Sequence, residues 1–65
     1  MLTLYFKDGC GVCKNVKRLL DAKKIEYRMV DVGTPAGWDE AKRLGVMAAG
    51  TVLDESGERV NVSSL

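Results

Sequence analysis

A chain of 65 residues with 46% apolar and 29% charged side chains has room for one domain, residues 1–65, with a small core. Ten basic against nine acidic groups leave a net charge of +1, which excludes a strongly electrostatic nucleic-acid binder, and the absence of histidine excludes Ser-His, Cys-His and His-ligated metal chemistry. The longest uncharged stretch, Gly45 to Leu53, has 9 residues against the ~20 of a membrane helix, and no basic leader with an apolar run opens the chain.

Leu2-Thr3-Leu4-Tyr5-Phe6 is short and apolar, and its residues suit a strand that Lys7-Asp8-Gly9 ends with turn chemistry. From about Gly11 to Lys24 the period changes, and Val12, Cys13, Val16, Leu19 and Leu20 share one face of an expected helix. Glu26 to Val32 predicts a second strand in which Tyr27, Met29 and Val32 alternate with polar neighbours. Gly33-Thr34-Pro35-Ala36-Gly37 reads as a loop, and Trp38 to Leu44 as a short helix stopped by Gly45, with Trp38 as a packing anchor. Thr51-Val52-Leu53 and Glu58-Arg59-Val60-Asn61-Val62 flank Asp54-Glu55-Ser56-Gly57 as a hairpin. Ser63-Ser64-Leu65 would cap a further helix that does not follow, so one sheet face is expected to be thinly covered.

The order β-α-β-α-β-β implies a parallel crossover followed by an antiparallel pair, a mixed four-stranded α/β sheet with helices. Charge is uneven along it. Residues 1–30 carry seven basic groups against three acidic ones, and residues 31–65 three against six. Much of this is solvated surface, but a positive first half also suits an anionic thiol or an acidic partner.

Chemistry concentrates at Cys10-Gly11-Val12-Cys13. Cys10 falls where a strand ends and a helix begins, so unpaired backbone N–H groups and the helix dipole favour its thiolate. Cys13 lies one turn further in, within reach to close a small disulfide, and Gly11 gives the backbone freedom for that ring. An exposed attacking sulfur and a sheltered resolving one make a dithiol exchange site. In the cytoplasm, the expected location, a cysteine pair serves redox or metal chemistry more often than structure.

Tyr5-Phe6-Lys7-Asp8-Gly9-Cys10-Gly11-Val12-Cys13-Lys14, then Leu19-Leu20, Ile25-Glu26-Tyr27 and Val30-Asp31-Val32, resembles a glutaredoxin-type member of the thioredoxin superfamily. The order of elements is similar over nearly the whole chain, and the motif over the first 32 residues. The resemblance implies a thiol–disulfide oxidoreductase with Cys10 as nucleophile and Cys13 as resolving thiol. Lys7 would help hold an anionic substrate, with Gly11, Val12, Ala49 and Gly50 lining the substrate groove. Gly50 falls where the family usually carries a cis-proline, with Ala49 ahead of it, and a trans Ala49–Gly50 bond with more room beside the cysteines is expected. Gly50→Pro is then expected to tighten substrate binding if the loop accepts the cis form, and to lower any zinc or iron uptake. Asn61-Val62-Ser63-Ser64 stands where the family's Gly-Gly and acidic pair grip glutathione, and the final helix is missing. Glutathione is therefore expected to be a poorer reductant than a protein dithiol. The implied partners are a disulfide-bearing protein and a protein or small-thiol reductant, acting on a monomer without cofactor.

Three other readings of the cysteine pair stand beside this one. The pair could simply pack; it could supply half of a zinc or iron–sulfur site completed by a second copy; or it could mark a non-catalytic partner-binding module.

Overall fold

The computed structural model describes residues 1–46 and 48–64. Its elements run β1 (Leu2–Phe6), α1 (Gly11–Ala22), β2 (Tyr27–Asp31), α2 (Pro35–Arg43), β3 (Thr51–Leu53) and a 3₁₀ turn, Val62–Ser64. Met47 and Leu65, which fall within two of the segments read from sequence, lie outside the described residues.

β1 is the central strand. It pairs in parallel with β2, Leu4 opposite Met29, and antiparallel with β3, Leu4 opposite Val52, giving the order β2-β1-β3. Alternation along β1 divides the core into two layers. Leu4 faces α1 and packs with Leu20, Val52 and Val62; Tyr5 faces α2 and packs with Ala41, Val46 and Leu53. The mixed sheet and two helices are those of a small thioredoxin/glutaredoxin-like fold, with three strands among the described residues where four were expected.

The fourth strand is reduced to one bridge, Leu53 with Arg59. The Asp54 carboxylate takes the amides of Ser56 (2.8 Å) and Glu58 (3.0 Å), which makes the expected turn. Past Val60, the Asn61 carboxamide accepts the Ser63 amide at 3.2 Å. A side chain that takes a backbone donor in this way offers the chain an alternative to the ladder, and the segment curls into the 3₁₀ turn. That turn starts at Val62, whose buried side chain closes the α1 layer that the sequence left thinly covered.

The remaining boundary shifts also have local causes. α1 ends at Ala22, two residues early, because Lys24 adopts a left-handed φ of 57° and the Ile25 amide donates to the Leu20 carbonyl at 3.1 Å. α2 starts at Pro35, inside the segment read as a loop, because Thr34 caps it through the Gly37 amide at 3.1 Å and Pro35 suits the first helical turn. Gly45, with φ of 74°, does end that helix, and the Val46 amide donates to the Ala41 carbonyl at 2.8 Å. Four apolar residues differ from their expected burial, Val12 at the start of α1 among them. Met29 points to the α1 side, yet β2 is an edge strand and Met29 stays 42% exposed. Trp38 and Leu19 are also exposed, the Trp38 ring carrying the Lys42 ammonium 5.9 Å from its centroid.

Among the glycines, Gly37 makes the closest backbone approach, α2 against the end of β2. A methyl group on buried Gly37 would sit 1.9 Å from the Asp31 carbonyl oxygen, an atom that only backbone movement could withdraw. At Gly11 a methyl group would meet nothing within 4 Å. Gly37→Ala is expected to destabilise by roughly 1–3 kcal/mol, and Gly11→Ala to be neutral or stabilising by up to about 1 kcal/mol, in urea denaturation. Equal effects at the two positions would contradict this packing.

Candidate active site

Gly9, with φ of 78°, turns the chain off the end of β1, and the Cys10 amide donates to the Lys7 carbonyl at 3.3 Å. Cys10 then takes the extended conformation of a helix cap, φ −87° and ψ 112°, and its sulfur accepts the Cys13 amide at 3.2 Å. A capping position usually held by a Ser, Thr or Asp oxygen is held here by sulfur. Cys10 is half-buried and Cys13 buried, both as free thiols.

The two sulfurs differ electrically as well as in exposure. Cys10 is held below the ordinary thiol pKa, first by the hydrogen bond from the Cys13 thiol and then by the backbone N–H groups of Cys13 and Val12. Cys13 is pushed up, first by burial and next by donating to Cys10, with a backbone hydrogen bond at Lys7 partly opposing the rise. When the pair gives up one proton, the remaining one is therefore favoured on the inner sulfur and the charge on the outer. Among the described residues no group of three or more Cys, His, Asp or Glu side chains could hold a metal ion, so these thiolates would need ligands from outside the chain.

The sequence-derived groove residues fall into two sets. Lys7 and Ala49 line a cavity of about 360 Å³ together with Val32, Trp38, Val46 and Ala48. Gly50 packs directly on the cysteine turn, since a methyl group there would lie 2.7 Å from Val12 Cγ1 and 3.8 Å from the Cys13 nitrogen. Val12 is otherwise 60% exposed, and Gly11 is exposed. Two participants had no distinct signal in the sequence. Trp38, read as a packing anchor, borders the Lys7 groove, and Met29 borders the cysteines from β2, a placement set by strand register alone.

A glutaredoxin family model matches residues 2–52, from β1 into β3, and so includes the cysteine turn, Ala49 and Gly50. The chain belongs to the glutaredoxin family. No curated protein and no solved structure matches it. The match extends beyond the 32 residues whose motif is legible by eye, and thiol–disulfide oxidoreductase chemistry is the general role that comes with the family.

In this glutaredoxin Ala49–Gly50 is trans, since the described residues contain no cis peptide. The expected extra room beside the cysteines is absent, because Val12 fills the space against Gly50. The expectation for Gly50→Pro is corrected for two reasons. Gly50 has φ of 89°, whereas proline is fixed near −65°, and the Gly50 amide donates to the Tyr5 carbonyl at 2.7 Å. Gly50→Pro is therefore expected to destabilise the fold by more than about 1 kcal/mol and to loosen the loop, without tightening substrate binding. Gly50→Ala should cost about 1–2 kcal/mol through the left-handed φ, because the exposed Val12 side chain can swing aside. Thermal unfolding of both variants measures this, and a Gly50→Pro protein as stable as wild type would contradict it.

Proposed function

We propose that this protein is a dithiol oxidoreductase that reduces disulfides of protein substrates in a reducing compartment such as the cytoplasm. The observation that carries the reading is the asymmetry of the pair, a half-exposed Cys10 sulfur capping α1 and a buried Cys13 one turn behind it. The Cys10 thiolate attacks one sulfur of the substrate disulfide. A Cys10–substrate S–S bond forms, the substrate S–S bond breaks, and the leaving thiolate takes a proton. Cys13 then gives up its proton and attacks Cys10, forming the Cys10–Cys13 disulfide and releasing the second substrate thiol. Two electrons have passed from the dithiol to the substrate. A protein dithiol, or two small thiols that leave joined as a disulfide, returns them by the same exchange in reverse.

Each neighbouring group has a role in this scheme. The Cys13 thiol and the α1 amides stabilise the attacking Cys10 thiolate before reaction. Lys7, Ala49 and the Gly50 loop form the groove for chain flanking the substrate sulfur. Val62–Ser64 form the 3₁₀ turn that Asn61 caps. Without the family's Gly-Gly and acidic pair in this segment, a protein dithiol is the better reductant.

Cys10→Ser is expected to abolish disulfide reduction, whereas Cys13→Ser should accumulate a stable mixed disulfide with substrate, visible by non-reducing electrophoresis and mass. In steady state a protein dithiol donor should support faster turnover than glutathione. Mixed disulfide trapped by Cys10→Ser instead would reverse the roles, and efficient saturable turnover with glutathione alone would overturn the choice of reductant.

A further inference from the structure

A second cavity, about 130 Å³, opens beside the cysteines and shares Lys7 with the first but includes no residue of the 48–50 loop. Cys10 and Cys13 border it from one side, Lys14 and Lys17 from α1, and Met29 from β2. Its charge is one-sided, since Lys7, Lys14 and Lys17 face only Asp8 among the lining residues. Lys17 is held at Asp21 by a 3.1 Å hydrogen bond, and the Tyr27 hydroxyl shares that carboxylate at 2.9 Å. Among the described residues, Lys7 and Lys14 are thus the lining cations with no ion pair of their own. Met29 adds an apolar, polarizable patch that the fold leaves bare, although its register partner Leu4 is fully buried.

Resting on the oxidoreductase reading, we propose that this second cleft docks an acidic segment of the substrate protein. An Asp or Glu within a few residues of the target cysteine would lie against Lys14 and Lys7, and an apolar neighbour would lie against Met29. Charge complementarity selects this occupant over a basic or neutral one. Seven of the ten basic residues precede Asp31, and the cleft is walled by the first half of the chain alone. Cations this close to the attacking sulfur concentrate acidic substrates where reaction occurs, so the preference belongs to the rate of encounter and is screened by salt.

The test uses three peptides, each with one cysteine in mixed disulfide with 2-mercaptoethanol and flanked by Glu, Gln or Lys. Their reduction by the full chain is followed under pseudo-first-order conditions at low and high ionic strength. At low salt the Glu peptide should react roughly tenfold or more faster than the Lys peptide, with the Gln peptide between, and the ratio should fall to within about twofold in high salt. Lys14→Glu should bring the ratio near or below one, whereas Arg59→Glu, the same charge change on the hairpin outside the cleft, should retain it. Equal rates for all three peptides, or an equal fall in the ratio for both variants, would overturn the proposal while the oxidoreductase reading stands. No reaction even with the Gln peptide would overturn both.

Discussion

The hydrogen bond from the Cys13 amide to the Cys10 sulfur, 3.2 Å long, is the contact on which the site depends. It caps α1, satisfying a backbone donor that would otherwise lack a partner at the helix start. The same bond favours negative charge on the sulfur, because an N–H group pointing at a thiolate is worth more than one pointing at a thiol. The Cys13 thiol supplies the larger share of the thiolate's stabilisation, and the amide bond that starts the helix supplies the next. Once Gly9 has turned the chain off β1, the Cys13 amide takes the Cys10 sulfur as its acceptor, so the local fold and the reactivity of the outer sulfur arise together.

Around that contact β1 acts as the common frame. Its end delivers Lys7 and the cysteine turn, and its Tyr5 carbonyl holds the Gly50 amide that brings the loop before β3 against Val12. The Tyr5 hydroxyl points the other way and donates to Glu40 at 3.0 Å, which Arg28 also reaches at 3.4 Å, so α2, β1 and β2 are joined through one side chain. Burial, together with the Glu40 carboxylate, keeps the Tyr5 hydroxyl protonated above its ordinary range. A 65-residue chain has few core residues with which to position two loops. This one relies on the central strand, which has no solvent edge and pairs on both sides.

The cysteine turn, the first strand and the first helix were legible because each rests on local chemistry: an apolar run, a Lys-Asp-Gly turn and a helical repeat of apolar residues. Less legible were features set by partners distant in sequence. Met29 alternates correctly for a strand, but its exposure follows from β2 being the edge, which alternation does not encode. The fourth strand looked as good as the third, and was lost to the Asn61 carboxamide bond and to the burial of Val62. Thr34-Pro35 carries a helix-start signal that was outweighed by the glycines on either side of it. Gly50 was placed opposite the cysteines by resemblance, while its left-handed φ and its bond to Tyr5 come from the packing of β3 on β1.

The difference in acidity between the two sulfurs is the central claim, and site-resolved alkylation across pH measures it directly. Reduced protein is pulsed with iodoacetamide from acid to alkaline pH, and the modified cysteine is identified by peptide mass. The account predicts that Cys10 is modified first and that its rate falls away only when pH drops through a midpoint below that of an ordinary thiol. Cys13 should react slowly, with a midpoint above that value. Cys13 reacting first, or both thiols titrating together near the ordinary value, would contradict it.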